Sequence, residues 1–125
     1  MGKKLGRRMG KALVAVVERP EVWMSATTEN RMAVYMIAYE LHDGEDYEGL
    51  IEGIKNLPSE GSWHNLESTW FVISKERAVQ IHNSLHRHLL GGDKLAVVQC
   101  NHWGAWSGFN DEASKWLNDA LAEAA

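Results

Sequence analysis

The sequence predicts an α+β domain, and three observations carry that prediction. Apolar and β-branched runs that suit strands alternate with stretches whose apolar residues recur every three to four positions, so strands and helices interleave along one chain. The 125 residues suffice for one domain of ordinary size and are too few for two. Hydrophobic residues make up 45% and charged residues 24%, near the averages of globular domains, which excludes collagen-like and disordered classes.

Charge divides the chain. Residues 1–31 hold seven Lys or Arg against three Glu, whereas residues 32–125 hold six basic and fourteen acidic groups. A basic arm (1–31) therefore precedes an acidic body (32–125). In the arm Leu5, Met9, Leu13 and Val16 stand at near-helical spacing among lysines and arginines. That pattern suits a basic amphipathic helix on a membrane surface or a phosphate backbone. The alternative is a weak helix or flexible tail, interrupted by Pro20 and the polar residues 25–30. The longest apolar run of the arm, residues 12–17, is far short of the ~20 residues needed to cross a bilayer. Cys100 is the single cysteine, which excludes an internal disulfide and a cysteine-based zinc site. A cytoplasmic location is the matching expectation.

Within the body, residues 33–41 read as a strand whose two alternating faces, Val34-Met36-Ala38 and Tyr35-Ile37-Tyr39, are both largely apolar. Such a strand is covered on both sides and central in its sheet. His42, Asp43 and Gly44 end it. Asp46 then caps a helix over 46–56, with Leu50, Ile51 and Ile54 on its apolar stripe. Residues 62–74, SWHNLESTWFVIS, form one bent strand or two short ones meeting near Glu67 and Ser68. Ser74 is the expected cap of a second helix over 75–90, with Ala78, Ile81, Leu85 and Leu89 facing inward and Gly91-Gly92 as its stop. Residues 94–100 make a further strand. Asn110 caps a third helix striped by Ala113, Trp116, Leu117, Ala120, Leu121 and Ala124. Two βαβ crossovers on one short sheet point to a ferredoxin-like βαββαβ sandwich with an added C-terminal helix.

Several chemistries find no motif. There is no GxSxG elbow, no GxGxxG and no Walker loop. His82, His86 and His88 invite a metal reading, because His82 and His86 are four apart on one helical face. No HExxH pattern surrounds them, and the expectation is polar surface or helix-end residues interacting with the dipole. Glu40, His42 and Asp43 form a more pointed group, because carboxylates at the carboxyl end of a central strand emerge at the sheet rim and can hold a hard cation such as Mg²⁺. One carboxylate per chain makes a poor site. An isologous homodimer would set Glu40 opposite its own twin.

Two stretches, YELHD at 39–43 and WHNLESTWFVIS at 63–74, are similar to a known family. From about residue 32 to residue 121 the chain resembles the SinR-like and VapD-like relatives of the small CRISPR-associated protein Cas-two. Trp63, His64, Leu66, Glu67, Ser68, Thr69 and Trp70 match the more specific of the two motifs. The resemblance implies a ferredoxin-like fold, homodimers and, in some members, metal-dependent endonuclease activity with a strand-end Asp from each subunit near a divalent ion. This chain carries Tyr39-Glu40 where the family carries Tyr-Asp.

Three readings of function follow. In the first, Mg²⁺ on paired Glu40 carboxylates activates water for phosphodiester cleavage, His42 or Asp43 shuttles a proton and Ser68 contacts phosphate. In the second, the chain is a non-catalytic dimeric binding or scaffolding module, favoured by its acidic body and by Glu40. In the third, the arm binds nucleic acid or anionic lipid. Glu40 facing its twin would mark a metal site; Glu40 paired with Arg77 or Lys94 would mark a structural role. Trp63, Trp70, Trp103 and Trp106 are the candidate dimer contacts, or else core residues of the monomer.

Overall fold

The computed structural model describes residues 6–9, 12–17, 32–42 and 47–124. Strands β1 (Gly6–Met9) and β2 (Ala12–Ala15) pair antiparallel as a separate two-stranded sheet. Strand replaces the amphipathic helix that the spacing suggested over those residues. Gly6 and Gly10 weaken a helix there, and β-branched Val14, Val16 and Val17 favour extension.

The body is a mixed α+β structure built on one four-stranded antiparallel sheet and three helices. Its strands are β3 (Ala33–Glu40), β4 (Gly61–Leu66), β5 (Thr69–Ser74) and β6 (Lys94–Cys100), in the spatial order β4-β5-β3-β6. Strand β3 is central, as its two apolar faces require. Residues 62–74 resolve into two strands joined by a tight turn at 67–68, with an irregular register between Trp63 and Leu66.

Helices α1 (Tyr47–Lys55) and α2 (Ala78–His86) pack on one face of the sheet. Ala33, Tyr35, Ile37 and Tyr39 of β3 and Trp70 and Val72 of β5 are buried there against Leu50, Ile54, Ile81 and Leu85. The turn after α2 brings His88 over Gly53 of α1, so closely that a Cβ there would lie 2.8 Å from the His88 ring. Helix α3 (Asp111–Glu123) lies on the opposite face, its Leu117, Ala120 and Leu121 packed with Val34, Phe71, Ile73 and Cys100. Asn110 caps it as expected, its side chain accepting from the Ala113 N–H at 2.7 Å. No helix of the described residues is long and apolar enough to cross a membrane.

One helix start differs from the sequence reading. Ser74 does not cap α2. It ends β5, buried, with its hydroxyl donating to the Pro58 carbonyl at 2.7 Å and accepting from the Glu76 N–H at 3.0 Å. Arg77 stands before the first helical residue instead, and the Gln80 side chain accepts from its backbone N–H. The expected cap Asp46 lies outside the described residues.

Helix α3 covers only part of its face. The sheet register stacks that face in rows: Gly61, Ile73, Val34 and Cys100; then Trp63, Phe71, Met36 and Val98; then Leu66, Thr69, Ala38 and Ala96. The first row lies under α3, and Trp63 meets Trp116 of α3 with ring centroids 6.0 Å apart. Further along, Val98 is 49% and Leu66 45% exposed, Ala96 is exposed, and Met36 and Ala38 are half-buried. The open rows end at Glu40 and Lys94.

Candidate functional site

The carboxyl end of β3 forms a rim with two neighbours. On one side lies the β4–β5 turn, where the Ser68 carbonyl accepts from the Tyr39 N–H at 3.1 Å. On the other lies the start of β6, where Glu40 stands in register with Lys94. The backbone thus brings Glu40, Ser68 and Lys94 to one end of the sheet.

Glu40 is exposed at this rim. Its Oε1 lies 3.5 Å from the Lys94 ammonium, with the two side chains 74% and 77% exposed. Lys94 is one of the two basic partners that the sequence offers for a structural role, and an exposed pair of this kind is worth under about 1 kcal/mol. Ser68 is half-buried in its turn. His42 is held by its backbone: its N–H donates to Asp93 Oδ1 at 2.7 Å, while Asp93 Oδ2 accepts from Leu90 N–H at 2.8 Å. The His42 ring rests on Gly92, whose φ of +93° suits a residue without Cβ; a Cβ would also lie 3.0 Å from the ring. Asp43 lies outside the described residues.

The WHNLESTW motif proves to be a brace around the turn. The His64 ring stacks on Trp70 with centroids 4.4 Å apart and planes 10° from parallel, and its Nε2 lies 3.1 Å from the Glu67 carbonyl. The buried Trp70 indole donates to the Tyr39 hydroxyl at 3.2 Å. Trp70 is therefore a core residue rather than a dimer contact. Trp106 is half-buried, stacked on Phe109 and donating to Ser114 Oγ at 2.8 Å. Trp103 is 84% exposed.

The Asp93 clamp and the His64–Trp70–Tyr39 set escape a reading of the sequence. The first has a faint signal, an acceptor directly after Gly91-Gly92 at a strand start. The second depends on the β3–β5 register, which periodicity alone does not specify.

The rim can be tested against the divalent ion that the family resemblance implies. Among the described residues Glu40 is paired with an ammonium, and no group of three His, Cys, Asp or Glu is placed to share an ion. Mg²⁺ demands near-ideal octahedral oxygen ligation, so the described donors of one chain do not fit it by themselves.

Comparison with protein-family models, curated proteins and solved structures finds no match to this chain.

Proposed function

We propose that this chain is a non-catalytic homodimeric module of ferredoxin-like topology, related to the Cas-two-like proteins, in which Glu40 serves the sheet rim rather than a metal. The observation that carries the reading is the Glu40–Lys94 pair: the carboxylate that a nuclease would need for its ion is opposed, in register, by a cation. The strand order β4-β5-β3-β6, with helices α1 and α2 on one face, supports the ferredoxin-like assignment. The open rows around Met36, Ala38, Ala96, Val98 and Leu66 support the dimer. A second copy is the occupant that suits them, because an isologous contact needs one self-complementary patch, and this apolar patch ends in one Glu and one Lys.

The endonuclease reading rests on a separate observation. Glu40 borders that same open face, so a pairing across it about a two-fold axis along the strands would bring the two rims of a dimer together, with Ser68 in the adjoining turn. Nucleic acid would be the substrate and Mg²⁺ the cofactor.

One set of measurements separates them. Sedimentation at tens of micromolar should show a dimer for the wild type and a monomer for Val98→Glu, with unchanged circular dichroism. Calorimetric titration with Mg²⁺ or Mn²⁺ should give identical isotherms for wild type and Glu40→Gln, and neither should cleave RNA or DNA. A monomeric wild type sinks the dimer. Metal-dependent cleavage abolished by Glu40→Gln would establish the nuclease instead.

A further inference from the structure

We propose that His82 and His86 of α2 form a bidentate imidazole site for a borderline transition-metal ion such as Zn²⁺ or Ni²⁺, distant in sequence and chemistry from the Glu40 rim. The inference begins with spacing. Residues four apart on a helix are surface neighbours, and two imidazoles so placed can converge on one ion. Spacing alone is common; the arrangement of these two rings is what adds to it.

The two ring centroids are 5.2 Å apart and the planes tilt by 31°. Two imidazole nitrogens bound tetrahedrally at about 2.1 Å set their ring centroids roughly 5 Å apart, so the ring separation matches that of a chelating pair and a rotation of the rings would bring the nitrogens onto one ion. Both side chains are half-buried on the flank of the helix beside Ile81 and Leu85, which anchor that helix in the core. The backbone between them is regular helix, which limits the rearrangement that chelation requires.

His82 carries a second feature. Its Nδ1 lies 3.1 Å from the Asn83 side-chain oxygen. With Nδ1 donating there, the lone pair of the neutral ring resides on Nε2. This is the outer hydrogen bond that metal-binding histidines use to hold tautomer and orientation.

Among the described residues no third His, Cys, Asp or Glu joins the pair. The remaining positions therefore go to water or to the same pair on a second chain. Imidazole donors select a borderline ion over Mg²⁺ or Ca²⁺, which prefer oxygen.

The test is titration of the full chain with Zn²⁺ and, separately, Ni²⁺, read by calorimetry and by the imidazole signals in ¹H–¹⁵N spectra. The expected result is saturable binding of one ion per chain, or one per two chains, with the signals of His82 and His86 moved and those of His42, His64 and His102 unmoved. His82→Ala and His86→Ala should each weaken binding at least about ten-fold, since losing even an outer-shell partner of a metal ligand costs about 10–100-fold. His82→Gln and His86→Gln, which keep a polar side chain at the same place, should do the same with unchanged circular dichroism. Binding that survives in both glutamine variants, or that moves other histidines instead, would overturn the proposal, as would no saturable binding to the wild type.

Discussion

Gly53 shows how one atom can decide a helix contact. A Cβ at this position would meet His88 Nε2 at 2.8 Å and Leu85 Cδ2 at 3.2 Å. Alanine would gain up to about 1 kcal/mol of helix propensity, but the overpacking costs about 1–3 kcal/mol. Gly53→Ala should therefore lower stability by about 1 kcal/mol in denaturant unfolding. Adding His88→Ala to Gly53→Ala should cost less than the two single effects together, because the ring is what the methyl strikes. Cys100 gives a residue-scale pH effect. Burial lifts its thiol above the ordinary value of 9.0, against a smaller lowering by a hydrogen bond with the Met36 backbone. The unfolded chain thus ionises first as pH rises, so it binds fewer protons than the native state and stability falls. Wild-type protein should lose stability above about pH 9 more steeply than Cys100→Ala, and the two should run parallel below it.

At the scale of elements, the join between α2 and β6 depends on Asp93. Its carboxylate accepts from both Leu90 and His42 backbone N–H groups, tying the end of the helix connection to the end of β3. Removing a charged acceptor from two such donors costs about 1–3 kcal/mol at a partly exposed position. Asp93→Ala should show that loss in thermal unfolding, and Asp93→Asn, with one oxygen left, a smaller one. Elements were legible where burial and period agreed: β3 from its two apolar faces, α3 from its stripe and the Asn110 cap. They were hard to read where a residue has two plausible uses. Ser74 resembles a helix cap by type, yet its register opposite Ala33 buries it in β5, where its hydroxyl satisfies Pro58 and Glu76. The arm was hard to read for another reason: Met9 and Leu13 share a stripe at helical spacing, yet the β1–β2 register sets Met9 opposite Ala12 and Leu13 opposite Arg8, on opposite faces of the pair. At the rim, Lys94 was visible as one of two partners for Glu40, but only strand pairing chooses it over Arg77.

The whole molecule has its two described core clusters built entirely from residue 33 onward, and β1 and β2 form a sheet of their own. Deleting residues 1–31 should therefore leave circular dichroism and the unfolding midpoint of the body within about 0.5 kcal/mol of the full chain, the range of changes remote from a core. If those residues grip nucleic acid or anionic lipid, the same deletion should remove that binding without unfolding the body. A body that fails to fold alone would place part of the first 31 residues in its core.

The central position of β3 has a consequence for how the chain is made. Its partners, β5 and β6, both lie later in the sequence, and the last of them ends at Cys100. During synthesis at roughly 5–20 residues per second, the roughly 60 residues that separate Glu40 from Cys100 leave β3 without one neighbour for about 3–12 s. Throughout that interval the nascent chain displays AVYMIAY, seven uncharged residues of strong extended preference and no proline. Until β6 emerges, one edge of β3 keeps its N–H and C=O groups unpaired, a template for pairing with another chain.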